Sequence, residues 1–166
     1  MAERSMYTAA ALSDMHQRTQ RSFEKLLDHC AGFSEDDLSR ELDGFGYGSI
    51  RMQLHHVIGA ERYWVGVLHG LSLWDENDAD FASLDALRTF RERVTGDTVA
   101  YLESAASDEL NTARSMTTWG DKQQDLVPAR VLVRILTHAF QHQGQVAAMA
   151  RLLGRPIPSG LDFPIG

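Results

Sequence analysis

One cysteine, four prolines and no long apolar run set the first limits on this chain of 166 residues. Cys30 has no second thiol to pair with, so an internal disulfide is excluded and a reducing compartment suits the chain. It continues an apolar stripe, Leu12, Met15, Phe23, Leu26, Cys30 and Phe33, and reads as a small core residue. No stretch approaches the roughly 18 uninterrupted apolar residues that cross a bilayer. The first residues carry charge at Glu3 and Arg4, with Asp14 following, and lack the apolar core of a secretory signal. The chain is therefore expected to be cytoplasmic and soluble. Basic residues are also in the minority, and the net charge of -7 argues against a nucleic-acid or anionic-membrane surface. The glycine-rich stretch Gly44-Phe45-Gly46-Tyr47-Gly48 is not a phosphate cradle, because it lacks a strand before it and a Lys-Ser/Thr pair after it.

Helical periodicity is what the chain does have. Four segments carry it, with ordinary globular composition around them. The first runs from about Thr8 to Ala31, and Ser34 opens a short extra turn with a capping-box pattern. The second starts at the N-cap Ser49, presents Ile50, Leu54, Val57, Glu61, Trp64 and Leu68 inward, and stops at Gly70. The third is capped by Ser83 and ends near Ala105. Between the third and fourth, Thr112–Val127 breaks the pattern. Ser115–Trp119 and Gln124–Val127 read as two short strands around a turn at Gly120-Asp121-Lys122. Pro128 suits the first turn of the fourth helix, which ends at Gly154. An extended tail should then lie across the bundle. One all-α domain over residues 1–166 follows: an antiparallel four-helix bundle with a short β-hairpin before its last helix.

The fourth helix carries the chemistry. Its stripe runs Val131, Ile135, His138, His142, Gln145, Met149 and Leu152, in steps that alternate four and three. Three polar side chains interrupt an otherwise apolar face, and burying them without partners costs on the order of a few kcal/mol. His138 and His142 point the same way one turn apart and can share a divalent metal. A third ligand must come from a facing helix. His55 and His56 are the candidates on the second helix. On a helical wheel His56 lies beside the apolar face and His55 a further 100° round, so geometry favours His56.

Two motifs then carry a resemblance. Leu54-His55-His56-Val57-Ile58-Gly59-Ala60-Glu61-Arg62-Tyr63-Trp64 resembles the second-helix motif of the DinB/YfiT-like family: a histidine, then a small residue and glutamate, then an aromatic. His138-Ala139-Phe140-Gln141-His142-Gln143-Gly144-Gln145 resembles their last-helix motif, and the tail Leu153-Gly154-Arg155-Pro156 is also similar. The resemblance implies an up-down-down-up bundle, often a homodimer, with a metal held by three histidines. Carried over by position, these are His56, His138 and His142. Gln143 stands where the family usually has a basic residue. Members are described as metal-dependent hydrolases, or as transferases and isomerases that use small thiols.

Glu61 interrupts its stripe and is either a carboxylate supporting the site, as an orienting group or general base, or the partner of a buried donor. Gln145 could orient a metal-bound water or substrate, or make a core-edge hydrogen bond. Tyr63, Trp64 and Trp119 either line a pocket or belong to the core. Gly144 is expected to allow close helix approach. His16, His29, His55 and His69 form no constellation and read as surface residues.

The leading functional reading is a divalent-metal-dependent enzyme acting on small molecules, of thiol S-transferase type, with zinc, nickel or iron as the ion and a low-molecular-weight thiol as cosubstrate. A metal-dependent hydrolase and a non-catalytic bundle stapled by its metal are the alternatives. A homodimer is expected from the resemblance and from apolar surface on the first and third helices.

Overall fold

The computed structural model describes residues 6–71, 73 and 78–166. Among them, helices run Ala9–Cys30 (α1), Glu35–Ser39 (α2), Ile50–Leu68 (α3), Leu84–Ser104 (α4), Ser107–Asn111 (α5) and Pro128–Leu152 (α6). The strands Arg114–Thr118 (β1) and Lys122–Leu126 (β2) form an antiparallel hairpin before α6. The four helices expected from periodicity are α1, α3, α4 and α6. The one-turn helix α5 was not anticipated.

Local chemistry sets the helix boundaries. Thr8, Ser34, Ser49 and Ser83 each accept a hydrogen bond from the backbone N–H three residues on, at 3.1–3.2 Å. Pro128 opens α6, where its missing N–H costs nothing. Gly70 and Gly154 follow the ends of α3 and α6 with φ of 72° and 78°, the left-handed conformation that ends a helix cheaply only at glycine. The hairpin pairs Arg114 with Leu126 and Thr118 with Lys122, and its tight turn holds Gly120 and Asp121 at positive φ.

Each long helix packs on two neighbours: α1 and α3 both lie against α4 and α6. Side-chain partners give the directions. Gln20 and Asp28 of α1 meet Arg91 and Arg88 of α4, so those helices are antiparallel. Gln53 and His56 of α3 meet Gln145 and His138 of α6, again antiparallel. His55 and Glu61 of α3 meet Phe90 and Thr98 of α4, so those two run parallel. The order is therefore up, down, down, up.

The core falls into two apolar clusters with a polar layer between them. Along α1 that layer is His16, Thr19 and Ser22, between Leu12 and Phe23. Along α3 it is Glu61, between Ile58 and Tyr63; along α4 it is Thr98, between Val94 and Tyr101. On α6 the histidines begin where one cluster gives way to the other, after Ile135. Burying a Leu or Phe contributes roughly 1.5–3 kcal/mol, so placing polar groups at this level forgoes stability that apolar residues would have supplied.

Four expectations are corrected. Leu152 is exposed, because α6 buries a face centred on Leu132, Ile135, Leu136, Ala139, Val146, Met149 and Ala150. His16 and His55 are buried rather than solvated. A Cβ on Gly144 would meet nothing within 4 Å; the glycine in close approach is Gly66, whose added Cβ would fall 2.9 Å from Leu73 Cγ. Finally, none of the exposed large apolar side chains (Met6, Leu71, Trp119, Leu152, Phe163, Ile165) belongs to α1 or α4.

Candidate metal centre

Antiparallel packing of α3 on α6 brings His56, His138 and His142 together. His138 Nε2 lies 3.3 Å from His56 Nε2 and 3.1 Å from His142 Nε2. The potential ligand atoms of the three all lie within 4.8 Å of one another. Tetrahedral zinc with bonds of 2.0–2.1 Å places its nitrogens roughly 3.3 Å apart, so the two separations from His138 fit such an ion. The tautomers fit as well. His142 Nδ1 lies 2.5 Å from Gln53 Oε1, so its hydrogen goes there and its Nε2 lone pair faces the other two rings. Three ring nitrogens converge there, and the cluster could hold a metal ion.

Electrostatics keep these rings ready to ligate. Burial, joined by the neighbouring His142 and His138 rings and by His55, pushes His56 down to about 4. Burial, with His142 and Arg134 adding to it, pushes His138 to about 4. Burial also lowers His142. All three are therefore neutral near pH 7, the form a metal requires.

Gln53 is the residue that sequence reasoning passed over. It is fully buried, one turn before His56, and its amide is used at both ends. Its oxygen takes the His142 hydrogen, while Nε2 donates to Tyr47 O at 2.7 Å and to Gln145 Oε1 at 2.9 Å. Gln145 thus reaches the centre through Gln53. Tyr47, from the glycine-rich loop, stacks on His56 with ring centroids 4.0 Å apart. The available signal was Gln53 itself, an amide three positions before a candidate ligand and on the same helix face. Replacing Gln53 by Ala should weaken metal binding by about 10–100-fold with helicity retained, because the His142 ring loses its orienting acceptor. Competition with a chromogenic chelator measures this.

The other candidates lie elsewhere. Both carboxylate oxygens of Glu61 face away from the triad: Oε1 meets His16 Nε2 at 2.8 Å and Thr98 Oγ1 at 2.7 Å, and Oε2 accepts from Gln20 Nε2 at 2.9 Å. Tyr63 is buried in the second apolar cluster, stacked on Trp119 at 4.0 Å and edge-on to Trp64. His55 packs on Phe81 and Phe90, His29 meets the Arg155 carbonyl, and exposed His69 lies edge-on to Tyr101. Burial drives the Cys30 thiol up to about 12, against the pull of Arg88, so it is no nucleophile at neutral pH.

The DinB family profile matches residues 6–164. This chain belongs to the DinB family. Its fold agrees with a crystal structure of a DinB family member protein from Shewanella denitrificans, at a TM-score of 0.61 and 14% identity, over 96% of this chain and 90% of that one. No curated protein matches the chain. At that identity the DinB relative supports the architecture alone.

Proposed function

We propose that this DinB protein is a metal-dependent enzyme that acts on small molecules and transfers a small thiol. The observation that carries the reading is a triad of neutral imidazoles in which only His142 is buried, while His56 and His138 keep part of their surface exposed. A sealed structural site would favour closure on all sides. A divalent ion held by His56, His138 and His142 would lower the pKa of a bound water or thiol and polarise a carbonyl. The chain supplies the orientation: Gln53 fixes the tautomer of His142, and the Tyr47 ring fixes the plane of His56. Its only thiol, Cys30, is buried and protonated, so a reacting thiolate has to come from a cosubstrate. Zinc, nickel or iron suits three imidazoles with open positions. A cytoplasmic setting, rich in reduced thiols, suits the chemistry. No helix among the described residues is long and apolar enough to cross a membrane.

Cobalt substitution tests this. Small thiols should add a sulfur-to-metal charge-transfer band, and the band should vanish in His142→Ala. If azide perturbs the spectrum and thiols do not, hydrolysis is the better reading. A spectrum indifferent to both leaves only the stapled bundle.

A homodimer accompanies the proposal. Light scattering at micromolar concentration should give twice the chain mass, and a mass near 18.6 kDa refutes it.

A further inference from the structure

On the side of the bundle away from the histidine triad, α1 and α4 flank an open groove of about 380 Å³ lined by His16, Gln20, Glu24, Arg91, Thr95 and Val99. That volume falls in the range of small-ligand sites, roughly 300–1,000 Å³. Two buried polar atoms of its lining residues, His16 Nδ1 and Thr95 Oγ1, have no hydrogen-bond partner. His16 itself is only 2% exposed. Leaving such atoms unsatisfied is costly, so their retention at the level of the core calls for a partner.

The chemistry of that partner follows from the groups around it. His16 Nε2 faces Glu61, whose carboxylate also accepts from Thr98 and Gln20. The Nε2 hydrogen therefore points at the carboxylate, and Nδ1, on the other side of the ring, is left as an acceptor. Thr95 has a hydroxyl hydrogen to give. A ligand hydroxyl placed between them would satisfy both, donating to His16 Nδ1 and accepting from Thr95 Oγ1. The charges nearby cancel. Arg91 is already paired with Glu24 and tied to the Gln20 side chain and carbonyl, and the remaining charges, exposed Arg21 and buried Glu61, are formally equal and opposite. No unmatched charge is left to select an ion. We propose that this pocket binds a small uncharged molecule through a hydroxyl group held between His16 and Thr95. The ligand reaches those atoms past the long, rotatable side chains of Gln20 and Arg91.

The test uses the full-length protein and 1,2-propanediol as probe, followed by two-dimensional 1H–15N NMR. The expected result is a saturable shift of the His16 ring nitrogens and of the backbone amides of residues 91–99. His16→Phe would strand Glu61 and could unfold the chain, so the deciding variant is Thr95→Val, close in shape and outside the Glu61 cluster. It should weaken binding about fivefold, the effect of one lost hydrogen bond. A drift that never saturates means an adventitious additive only and overturns the proposal. So does saturable binding that Thr95→Val leaves unchanged. Tighter binding of methylammonium or acetate than of the diol overturns the uncharged class of ligand.

Discussion

His138→Ala should leave the bundle folded and strip it of metal. His138 is the central member of the triad, with close approaches to both of the other rings. Without it, two imidazoles on different helices remain, one fewer than a divalent site needs to hold well. The ring is half-buried at the edge of the core, so its loss costs little packing. Elemental analysis should show most of the metal gone while far-UV circular dichroism is unchanged; full occupancy would sink the assignment. The control is His55→Ala, which should keep its metal but lose stability, about 1–3 kcal/mol, because its ring packs on Phe81 and Phe90. Acidification adds a second test. His56 and His138 titrate near 4 in the folded chain, below the ordinary value of 6.5. Above pH 6.5 neither state holds these protons, and stability is unaffected. As pH falls from 6.5 towards 4, the unfolded chain takes up protons that the folded chain refuses, and metal-free protein loses stability. Both rings are partly exposed, so solvent screening limits the loss to on the order of 1 kcal/mol. The same low values mean that protons compete with metal only in acid. Occupancy should hold near pH 5.5, where ordinary histidines of pKa about 6.5 are mostly protonated.

Much of the bundle could be read from periodicity and punctuation. The four long helices begin and end within a residue or two of the expected positions, and α6 opens with Pro128 in its first turn. Serine and threonine caps, Pro128 and two left-handed glycines act locally, and local chemistry is what a sequence displays. The wheel argument that placed His56 and not His55 beside the face of α6 is matched by the geometry. It misjudged His55, because a position turned away from α6 is turned towards α4, and in a bundle each helix buries two faces. The stripe on α6 drew notice because polar residues broke it. The same break exists on α1, where Leu12, His16, Thr19, Phe23, Leu26 and Cys30 also step by four and three. Reading that stripe from its apolar members alone hid His16 and the Glu61 cluster. Gln53 stayed hidden for a different reason. Its place three positions before His56 on the same face marked it, but the bond to the far nitrogen of His142 is set by distances across two helices, which spacing does not give.

The largest stability effect is expected at Glu61. Its carboxylate holds three groups from two other helices, His16 and Gln20 of α1 and Thr98 of α4, in the polar layer between the apolar clusters. Burial by itself would raise its pKa, but the hydrogen bonds from His16, Thr98 and Gln20 outweigh burial and hold it below the usual range. Glu61→Ala takes the shared acceptor from all three; Thr98 keeps a bond to the Val94 carbonyl, while His16 and Gln20 lose theirs to the carboxylate. Each buried donor left without its acceptor costs about 1–3 kcal/mol, and the sum is a large part of the roughly 5–15 kcal/mol that holds a domain together. Glu61→Gln keeps the shape and part of the bonding and should cost less. Urea midpoints at pH 7 measure both. The sign of the acid limb follows from the lowered pKa: the ionised carboxylate stabilises the fold above its unfolded value, and that contribution disappears as pH falls through the folded value. Wild-type protein should therefore lose stability below about pH 4.3 more steeply than Glu61→Gln, which has no carboxylate to protonate. Metal content separates this role from support of the triad. If Glu61→Gln folds with a near-normal urea midpoint but binds metal poorly, the carboxylate serves the metal centre after all. If the midpoint collapses and the folded fraction keeps its metal, Glu61 belongs to the α1–α4 side of the bundle, where it orients His16 towards the second pocket.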